Sequence, residues 1–382
     1  MRRLWLFVIT LVLGVVLCTG TAVAATPHFT AAAPMITARG YFSAVKLLNG
    51  NVLVAGGYSG VPGPPLFFAD AEIYHPGTGT WSPAAPMNVP RSAAAAVRLP
   101  DGKVLVAGGT SLGPTSGNTA EIYDPATNTW ASTGSLHDAR FEDMATALLP
   151  GGRVLVAGGF VPSATGAPPF VPLASTEIWH PGTGRWTLGK SMHVARGEFA
   201  SVTLQDGRIL VMGGVDTSGA TLKSAEIYNP DTGHWSYTAH MHFARFDAAA
   251  VVLRHGRVLV AGGAGASGQP ITRSEIYNPR TKTWKTTGRL NVPRSEAEYA
   301  IVLMPNYRVL LAGGYNTLGT TETDVNTAEV YNPRTGTWKE VKTRMNSKRS
   351  GHAAVLLPYN RGVLVMGGAM GAATDTADIF HY

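Results

Sequence analysis

Short apolar runs that end in a Gly-Gly pair recur along this chain about every fifty residues. A typical run is Val104-Leu105-Val106-Ala107, whose lack of alternation predicts a strand buried on both faces. A fixed period of this length is typical of one supersecondary unit copied in a ring or an array. The seven pairs are Gly56-Gly57, Gly108-Gly109, Gly158-Gly159, Gly213-Gly214, Gly262-Gly263, Gly313-Gly314 and Gly367-Gly368.

Each repeat predicts four short strands separated by tight turns. In the second repeat, segment 91–99 changes from polar to apolar, a turn at 100–103 follows, and 104–107 is the buried strand. A variable loop leads to a third strand at 120–123, and a turn at 124–128 precedes the fourth. The chain is therefore predicted to be all-β, with one small antiparallel sheet per repeat.

One loop of the repeat varies in length while the rest is constant. A Glu precedes a Trp by nine residues in six repeats, as with Glu121 and Trp130. The distance from the first Gly of a pair to the acidic residue ranges from 11 to 19 residues. Insertions therefore fall between the second and third strands, and variable loops on a fixed frame are where binding often occurs.

These features together resemble the kelch repeat, in which an apolar run ends in Gly-Gly and a Tyr and a Trp follow at set distances. The resemblance covers residues 25–382 and implies a single seven-bladed β-propeller of four-stranded antiparallel blades. It implies that the glycines permit close backbone packing. It also implies that one Trp per repeat packs between neighbouring blades, at Trp81, Trp130, Trp186, Trp235, Trp284 and Trp338.

The two ends of the chain predict that the ring closes on itself. The last repeat stops at its third strand, 377–382, and has no Trp. The segment 28–35 matches 80–87 of the first repeat and places Phe29 where Trp81 lies. We therefore expect the N-terminal segment to be the fourth strand of the seventh blade, which would leave no exposed sheet edge at the closure.

Residues 1–24 have the pattern of a secretion signal. Two Arg residues at positions 2 and 3 precede an apolar stretch at 4–17, and residues 22–24 read Ala-Val-Ala. The protein is therefore expected to be secreted or to face the exterior of the cell envelope, with no membrane span in the mature chain. A retained N-terminal membrane anchor is the alternative.

The only cysteine, Cys18, lies inside the predicted signal. The mature chain would then have no disulfide, no thiol nucleophile and no thiolate ligand. The resemblance extends to galactose oxidase-like enzymes, whose copper centre requires a Tyr cross-linked to a Cys. We therefore reject copper-radical oxidation, and no cofactor is predicted beyond a divalent metal considered below.

Composition and charge narrow the class of partner. The chain is 45% hydrophobic and 14% charged, which is typical of a folded domain and not of a disordered chain. Its formal net charge of +7 is spread thinly, without a basic run interleaved with stacking aromatic residues. Nucleic acid is therefore not expected as a partner, and a monomer that binds a protein or a glycan is expected.

An Arg opens every repeat, close to the predicted mouth of the channel. Seven guanidinium groups there could bind an anion, but hydrogen bonds to backbone carbonyls or a carboxylate within the frame are the favoured interpretation. Acids two residues later, such as Glu142 and Glu296, could neutralise them. The Arg residues are Arg39, Arg91, Arg140, Arg196, Arg245, Arg294 and Arg349.

Three consecutive repeats carry a His three residues before this Arg, where other repeats carry Asn or Ile. With the nearby carboxylates they suggest a divalent metal site or an acid–base pair. The alternative is a polar turn residue in which His replaces Asn. The candidates are His137, His193, His242, Glu142, Glu198 and Asp247.

Two loops between second and third strands are long and rich in Pro and aromatic residues. One spans 58–69 and the other 160–174. Pro lowers the entropy lost when a loop binds, and exposed aromatic side chains suit a protein partner or sugar stacking. The alternative is that these side chains cover each other over the channel. The candidates are Leu66, Phe67, Phe68, Phe160 and Phe170.

Three functions follow from these features. The favoured one is an exported kelch-repeat recognition or scaffold protein that binds a protein or a glycan on its loop-rich face. The second is a carbohydrate-active enzyme, similar to an epimerase or mutarotase, that uses the His and carboxylate candidates. The third is a structural component of the cell envelope.

Overall fold

The computed structural model describes residues 26–60, 66–110, 117–161, 170–318, 321–369 and 372–382. These residues form seven four-stranded antiparallel sheets, two two-stranded hairpins and two short 3-10 turns. Within these ranges no helix is long and apolar enough to cross a membrane. The predicted signal, 1–24, lies outside the described residues.

The four strands of each blade follow one another from the channel outward. The first strands are Ser43–Lys46, Ala95–Arg98, Ala145–Leu148, Ala200–Thr203, Ala249–Val252, Ile301–Leu303 and Ala353–Leu356. The second strands are Val52–Ala55, Val104–Ala107, Val154–Ala157, Ile209–Met212, Val258–Ala261, Val309–Ala312 and Val363–Met366.

The outer half of each blade holds the remaining two strands. The third strands are Ala71–His75, Ala120–Asp124, Thr176–His180, Ala225–Asn229, Ser274–Asn278, Ala328–Asn332 and Ala377–His381. The fourth strands are Thr80–Ala84, Thr129–Thr133, Arg185–Leu188, His234–Tyr237, Thr283–Thr287, Thr337–Glu340 and, from the N-terminus, His28–Ala32. The 3-10 turns are Pro150–Gly152 and Glu298–Ala300.

The second strand of each blade is fully buried, as its unbroken apolar sequence predicts. All four residues of 104–107 are at most 1% exposed. The strand pairs with a neighbouring strand on each side within its own sheet, and each face of that sheet packs against an adjacent blade. Leu105, Val156 and Trp179 therefore share one core cluster between the second and third blades. The hydrophobic core therefore lies between blades, one cluster per interface.

The prediction that the N-terminal segment closes the ring is confirmed. His28–Ala32 pairs antiparallel with Ala377–His381, and Phe29 lies opposite Phe380. Their ring centroids are 5.1 Å apart, close to the 5.0 Å between Tyr123 and Trp130 in the second blade. The first strands also contact their neighbours in an unbroken circle. The fold is therefore a closed seven-bladed propeller.

Strand direction divides the molecule into two faces. The loops between second and third strands, and those that enter each blade, lie on one side, which we call the upper face. The turns between first and second strands, and between third and fourth strands, lie on the other, which we call the basal face. Short hairpins extend the upper loops of the third and sixth blades, at Phe160–Val161 with Val171–Pro172 and Tyr315–Leu318 with Thr321–Asp324.

The repeated Trp residues lie at the blade interfaces. The Trp130 Nε1 atom donates to the Ala85 carbonyl at 2.7 Å, and Trp284 Nε1 donates to the Ala239 carbonyl at 2.8 Å. In both cases the acceptor lies in the segment that follows the preceding blade. A large apolar ring with one satisfied N–H suits such an interface.

Candidate functional site

The Arg that opens each blade belongs to a buried frame. Arg245 is fully buried, and its Nη1 atom donates to the Gly262 and Arg273 carbonyls at 2.7 and 2.8 Å. Its Nη2 atom donates to Glu275 Oε1 at 3.1 Å. The other blades repeat this pattern with third-strand carboxylates. The acids are Glu72, Glu121, Glu177, Glu226, Glu275, Glu329 and Asp378.

These pairs account for the Arg set without an external anion. The opening Arg residues form hydrogen bonds to backbone carbonyls and carboxylates within the fold, as the favoured interpretation predicts. The expectation that Glu142 and Glu296 neutralise the Arg residues was wrong, because every carboxylate that contacts an opening Arg among the described residues lies on or next to a third strand, or in the entry loop itself. The constant Glu-to-Trp spacing was the sequence signal for the true partners.

The three repeat histidines belong to the same frame. The Nδ1 atom of His242 lies 2.7 Å from Glu275 Oε2, and its backbone N–H donates to the same oxygen at 2.8 Å. His193 and Glu226 repeat the arrangement at 2.7 Å, as do His137 and Glu177 at 3.0 Å. Each His is therefore bound to a different carboxylate, and not to Glu142, Glu198 or Asp247.

Asn performs the same task in two other blades. The Asn88 Nδ2 atom donates to Glu121 Oε2 at 2.6 Å, and Asn291 Nδ2 donates to Glu329 Oε2 at 2.7 Å. A single N–H donor at this position is what His and Asn share. Among the described residues no three His, Asp or Glu side chains are placed to hold one metal ion. The geometry thus matches the polar turn residue that was the alternative to a metal or catalytic His.

Backbone hydrogen bonds link several neighbouring blades around the channel, just below the upper face. The residue two positions after each Arg has positive φ, and this residue is a Gly only in the seventh blade, at Gly351. The Tyr41 N–H donates to the Gly351 carbonyl at 2.8 Å, Ala93 to Tyr41 at 2.7 Å, and Glu142 to Ala93 at 3.0 Å. We call these seven residues the collar.

Four consecutive blades place a carboxylate in the collar. Glu142, Glu198, Asp247 and Glu296 have φ of 60°, 53°, 49° and 52°. This left-handed conformation costs a residue with a Cβ about 1 kcal/mol. Each residue is half-buried. The fold therefore holds four acidic side chains at the mouth of the channel in a conformation that Gly would adopt more easily.

Further groups complete the mouth. Asp143 and Glu298 lie next to the collar in the third and sixth blades. The Tyr299 hydroxyl donates to Asp143 Oδ1 at 2.6 Å, and the Tyr41 hydroxyl donates to Glu296 Oε2 at 2.7 Å across the channel. We define the acidic mouth as Tyr41, Glu142, Asp143, Glu198, Asp247, Glu296, Glu298 and Tyr299.

The mouth carboxylates have no cationic partner among the described residues, and burial raises the pKa of five of them. Burial, followed by the charge of Asp143, raises the pKa of Glu198 to about 7. Burial also raises the pKa of Asp143 to about 6, although hydrogen bonds from Tyr299 and Asp247 oppose the shift. Burial and neighbouring carboxylates raise the pKa of Asp247 well above its usual range. The group therefore includes carboxyl groups that titrate close to neutral pH.

Glu298 is the least satisfied member of the mouth. Its Oε2 atom is buried and has no hydrogen-bond partner in the part of the chain described. Burial, and then the charge of Asp143, raise the pKa of its carboxyl group well above the usual range. A buried polar atom without a partner costs about 1–3 kcal/mol.

Sequence reasoning found part of the mouth. It named Glu142, Glu198 and Asp247, and the structure brings these three together. It did not identify Tyr41, Glu298 or Tyr299 as members. A sequence signal existed for Glu298, because the equivalent positions of the neighbouring repeats carry Ala249 and Ala353.

Aromatic side chains border the mouth on two sides. In the first blade Tyr58 lies between Tyr41 and Phe67, with ring centroids 5.7 and 6.3 Å away. Phe68 lies beneath the Arg39 guanidinium at 5.4 Å. Leu66 is 59% exposed, whereas Phe67 and Phe68 are half-buried.

The aromatic residues of the third-blade loop cover each other instead of standing free. Phe160 is 5% exposed, and Phe170 packs edge-on against Phe141 at 4.9 Å. The prediction that Phe160 is an exposed ligand contact was therefore wrong, since it fills the space beside Gly197. The proline-rich parts of both loops, with Pro62, Pro64, Pro65, Pro168 and Pro169, lie outside the described residues.

Comparison with protein families identifies the repeat. The Kelch motif matches residues 39–88, 196–242 and 302–345 in one form and residues 90–137 in another. These segments cover the first, second, fourth and sixth blades. The chain therefore contains kelch motifs on a closed seven-bladed β-propeller. No curated protein sequence matches the kelch chain significantly.

Two solved structures share the kelch propeller fold. A fungal alcohol oxidase of the AA5 family, in complex with copper, aligns over 94% of this chain and 76% of its own with a TM-score of 0.72 and 16% identity. The protein YjhT aligns over 80% of this chain and 98% of its own with a TM-score of 0.59 and 15% identity. Identities this low show the fold alone.

The side chains of this kelch protein do not fit the copper centre of galactose oxidase-like enzymes. That centre needs His ligands and a Tyr cross-linked to a Cys. Here the repeat histidines are bound to frame carboxylates, Tyr41 and Tyr299 donate to acids, and no Cys follows Cys18. The mouth thus has an oxygen donor set and lacks the sulfur that the cross-link requires.

Proposed function

We propose that this protein is an exported recognition module that binds a protein or a glycan over the acidic mouth. The predicted signal at residues 1–24 supports export. The single observation that carries the proposal is the convergence of carboxyl groups from four consecutive blades on one opening, where the described part of the chain provides no cation to neutralise them. The half-buried rings of Tyr58 and Phe67 beside this opening supply contact area.

A protein ligand that inserts a Lys or Arg side chain fits the mouth best. Burial and neighbouring carboxylates raise the pKa values of Glu198 and Asp247, and a cationic group would offset the repulsion between these carboxylates. The rings of Tyr58 and Phe67 suit stacking by a guanidinium group. Binding would then release protons from the mouth.

Isothermal titration with a hexa-arginine peptide tests this proposal, with hexaglutamate and maltohexaose as comparison ligands. We expect hexa-arginine alone to bind, more tightly at pH 8 than at pH 5, with proton release measured in two buffers of different ionisation enthalpy. The double variant Glu198→Gln, Asp247→Asn should bind at least tenfold more weakly.

A matched double variant separates the mouth from net charge. Asp101→Asn with Asp231→Asn removes the same charge from exposed positions on the basal face. Its affinity should stay within twofold of the unsubstituted protein. Absence of hexa-arginine binding, or an equal loss in both double variants, would contradict the proposal. Binding of maltohexaose alone would replace the protein ligand with a glycan.

Acid–base chemistry on a sugar is the second candidate function. The pKa values of about 6 for Asp143 and about 7 for Glu198 favour it, because groups that titrate near neutral pH can both donate and accept protons. It predicts that the protein accelerates exchange of the anomers of reducing sugars, measured by NMR, with a pH profile that Glu198→Gln changes. Rates equal to those of buffer would exclude it.

A further inference from the structure

The basal face has the opposite charge to the acidic mouth. The inner part of the basal face, around the channel, is formed by the turns between first and second strands and their flanking strand ends. Nine basic residues lie there, against two carboxylates, Asp101 and Asp206. The basic residues are Lys46, Arg98, Lys103, Arg153, Arg208, Arg254, Arg257, Arg308 and Arg361.

Most of this positive charge is not neutralised within the protein. Lys103 pairs with Asp124 at 3.0 Å, and Arg208 pairs with Asp206 at 2.7 Å. Arg257, Arg308 and Arg361 are exposed, and no carboxylate of the described chain pairs with them. Nearby charges of one sign add to a potential that reaches about a Debye length, ~8–10 Å, into solvent.

Exposed apolar and aromatic side chains lie among these charges in three adjoining blades. Tyr359 of the seventh blade is 88% exposed, Leu48 of the first 66%, and Tyr307 of the sixth 44%. The Arg254 guanidinium stacks 4.0 Å from the centroid of the Tyr307 ring. Tyr and Leu on a basic surface are the combination found where proteins meet the headgroup region of a bilayer.

One of these tyrosines occupies a glycine position. The turn residue that corresponds to Tyr307 is Gly50, Gly102, Gly207 or Gly256 in other blades. Tyr307 keeps the positive φ of that turn, 64°, and Tyr359 has φ of 55°. A Gly would be more stable at either place. The stability of the fold therefore does not explain why bulky aromatic residues are exposed here.

The chain also enters the propeller from the basal face. His28 begins the outermost strand of the seventh blade and pairs with His381, at the basal end of the third strand. In the sequence, the apolar stretch 4–17 precedes it by ten residues. Ten extended residues reach at most about 35 Å. If this apolar segment is retained as a membrane anchor, it would hold the basal face towards that membrane.

We propose that the basal face docks on a membrane surface rich in anionic lipid. Lys and Arg would contact lipid phosphates, while Leu48, Tyr307 and Tyr359 enter the headgroup region. The acidic mouth would then point away from the membrane, towards its ligand. This inference does not depend on the proposed ligand, because the two sites lie on opposite faces.

Vesicle sedimentation with residues 26–382, which contain every strand of the seven blades, tests the proposal. We expect binding to phosphatidylglycerol vesicles, none to phosphatidylcholine vesicles, and weaker binding as salt rises. The triple variant Arg257→Ser, Arg308→Ser, Arg361→Ser should bind phosphatidylglycerol about a hundredfold more weakly, since each basic residue near such a surface contributes about fivefold. Tyr359→Ser should weaken binding severalfold at high salt.

A matched triple variant controls for net charge. Lys342→Ser, Arg344→Ser and Lys348→Ser remove the same three charges from exposed positions of the loop that enters the seventh blade on the upper face. This variant should bind like the unsubstituted protein. Equal losses in both triple variants, or no binding to phosphatidylglycerol by a folded protein, would overturn the proposal. So would equally tight binding to heparin that displaces the vesicles, because the partner would then be an anionic polymer.

Discussion

Two sets of carboxylates in the same repeats have opposite electrostatic surroundings. The frame acids, such as Glu275, are fully buried and are bound by an Arg and by backbone N–H groups. The mouth acids, such as Asp247, are half-buried, have neighbours of their own charge, and are held at positive φ. The first arrangement stabilises the fold, whereas the second opposes it. Groups retained against stability are the ones to expect at a functional site.

The largest predicted effect comes from breaking the frame. Glu275→Gln leaves Arg245 buried with no charge partner, so we expect the free energy of unfolding to fall by about 3–5 kcal/mol. Chemical denaturation at pH 7.5 measures it. The control is Asp231→Asn, which removes an exposed carboxylate from a turn of the fourth blade. It should change the free energy of unfolding by less than about 0.5 kcal/mol. A loss below about 1 kcal/mol for Glu275→Gln would show that the frame is not what holds the blade entries.

The mouth should respond in the opposite direction, and with pH. Because folding raises the pKa of Glu198 from 4.5 to about 7, the folded state binds extra protons in that interval and loses stability as pH rises through it. Glu198→Gln removes this loss. The variant should match the unsubstituted protein near pH 4 and exceed its unfolding free energy by about 1–3 kcal/mol at pH 8. If the variant were less stable than the unsubstituted protein at pH 8, the ionised Glu198 would stabilise the fold, as the frame acids do, and the prediction would be wrong.

The smallest effect should come from the repeat histidines. His242→Asn keeps the side-chain N–H that contacts Glu275, as Asn88 and Asn291 do in other blades. We expect a change in unfolding free energy below about 0.5 kcal/mol and no change in hexa-arginine binding. A strong loss of ligand binding or catalysis in a stable His242→Asn protein would show that His242 acts in the functional site and not only in the frame.

Repetition made the architecture predictable from the sequence. Seven Gly-Gly pairs, the constant spacing of Glu121 from Trp130, and the match of Phe29 to Trp81 were enough to give the blades and their closure. Each of these signals is local and occurs in several copies. The N-terminal strand pairs with the far end of the chain, and it could be predicted only because it resembles the fourth strands of the other six repeats.

The mouth was only partly predictable, because it is formed by departures from the repeat. Glu142, Glu198 and Asp247 stood out as acids at one repeat position. Whether they met an Arg, a His or each other depended on side-chain direction around the ring, which spacing does not give. Tyr41 and Glu296 occupy the same repeat position, but their shared position does not show that the two side chains meet across the channel and join the first blade to the sixth.

The pKa of Glu198, measured by carboxyl NMR titration of the unliganded protein, tests the central claim most directly. The resonance can be assigned by its loss in Glu198→Gln. A midpoint near 7, shifted downward when hexa-arginine is added, is the result predicted for an unneutralised carboxyl group that awaits a cationic ligand. A midpoint at or below 4.5 would show that the mouth acids are already neutralised within the fold, as the frame acids are.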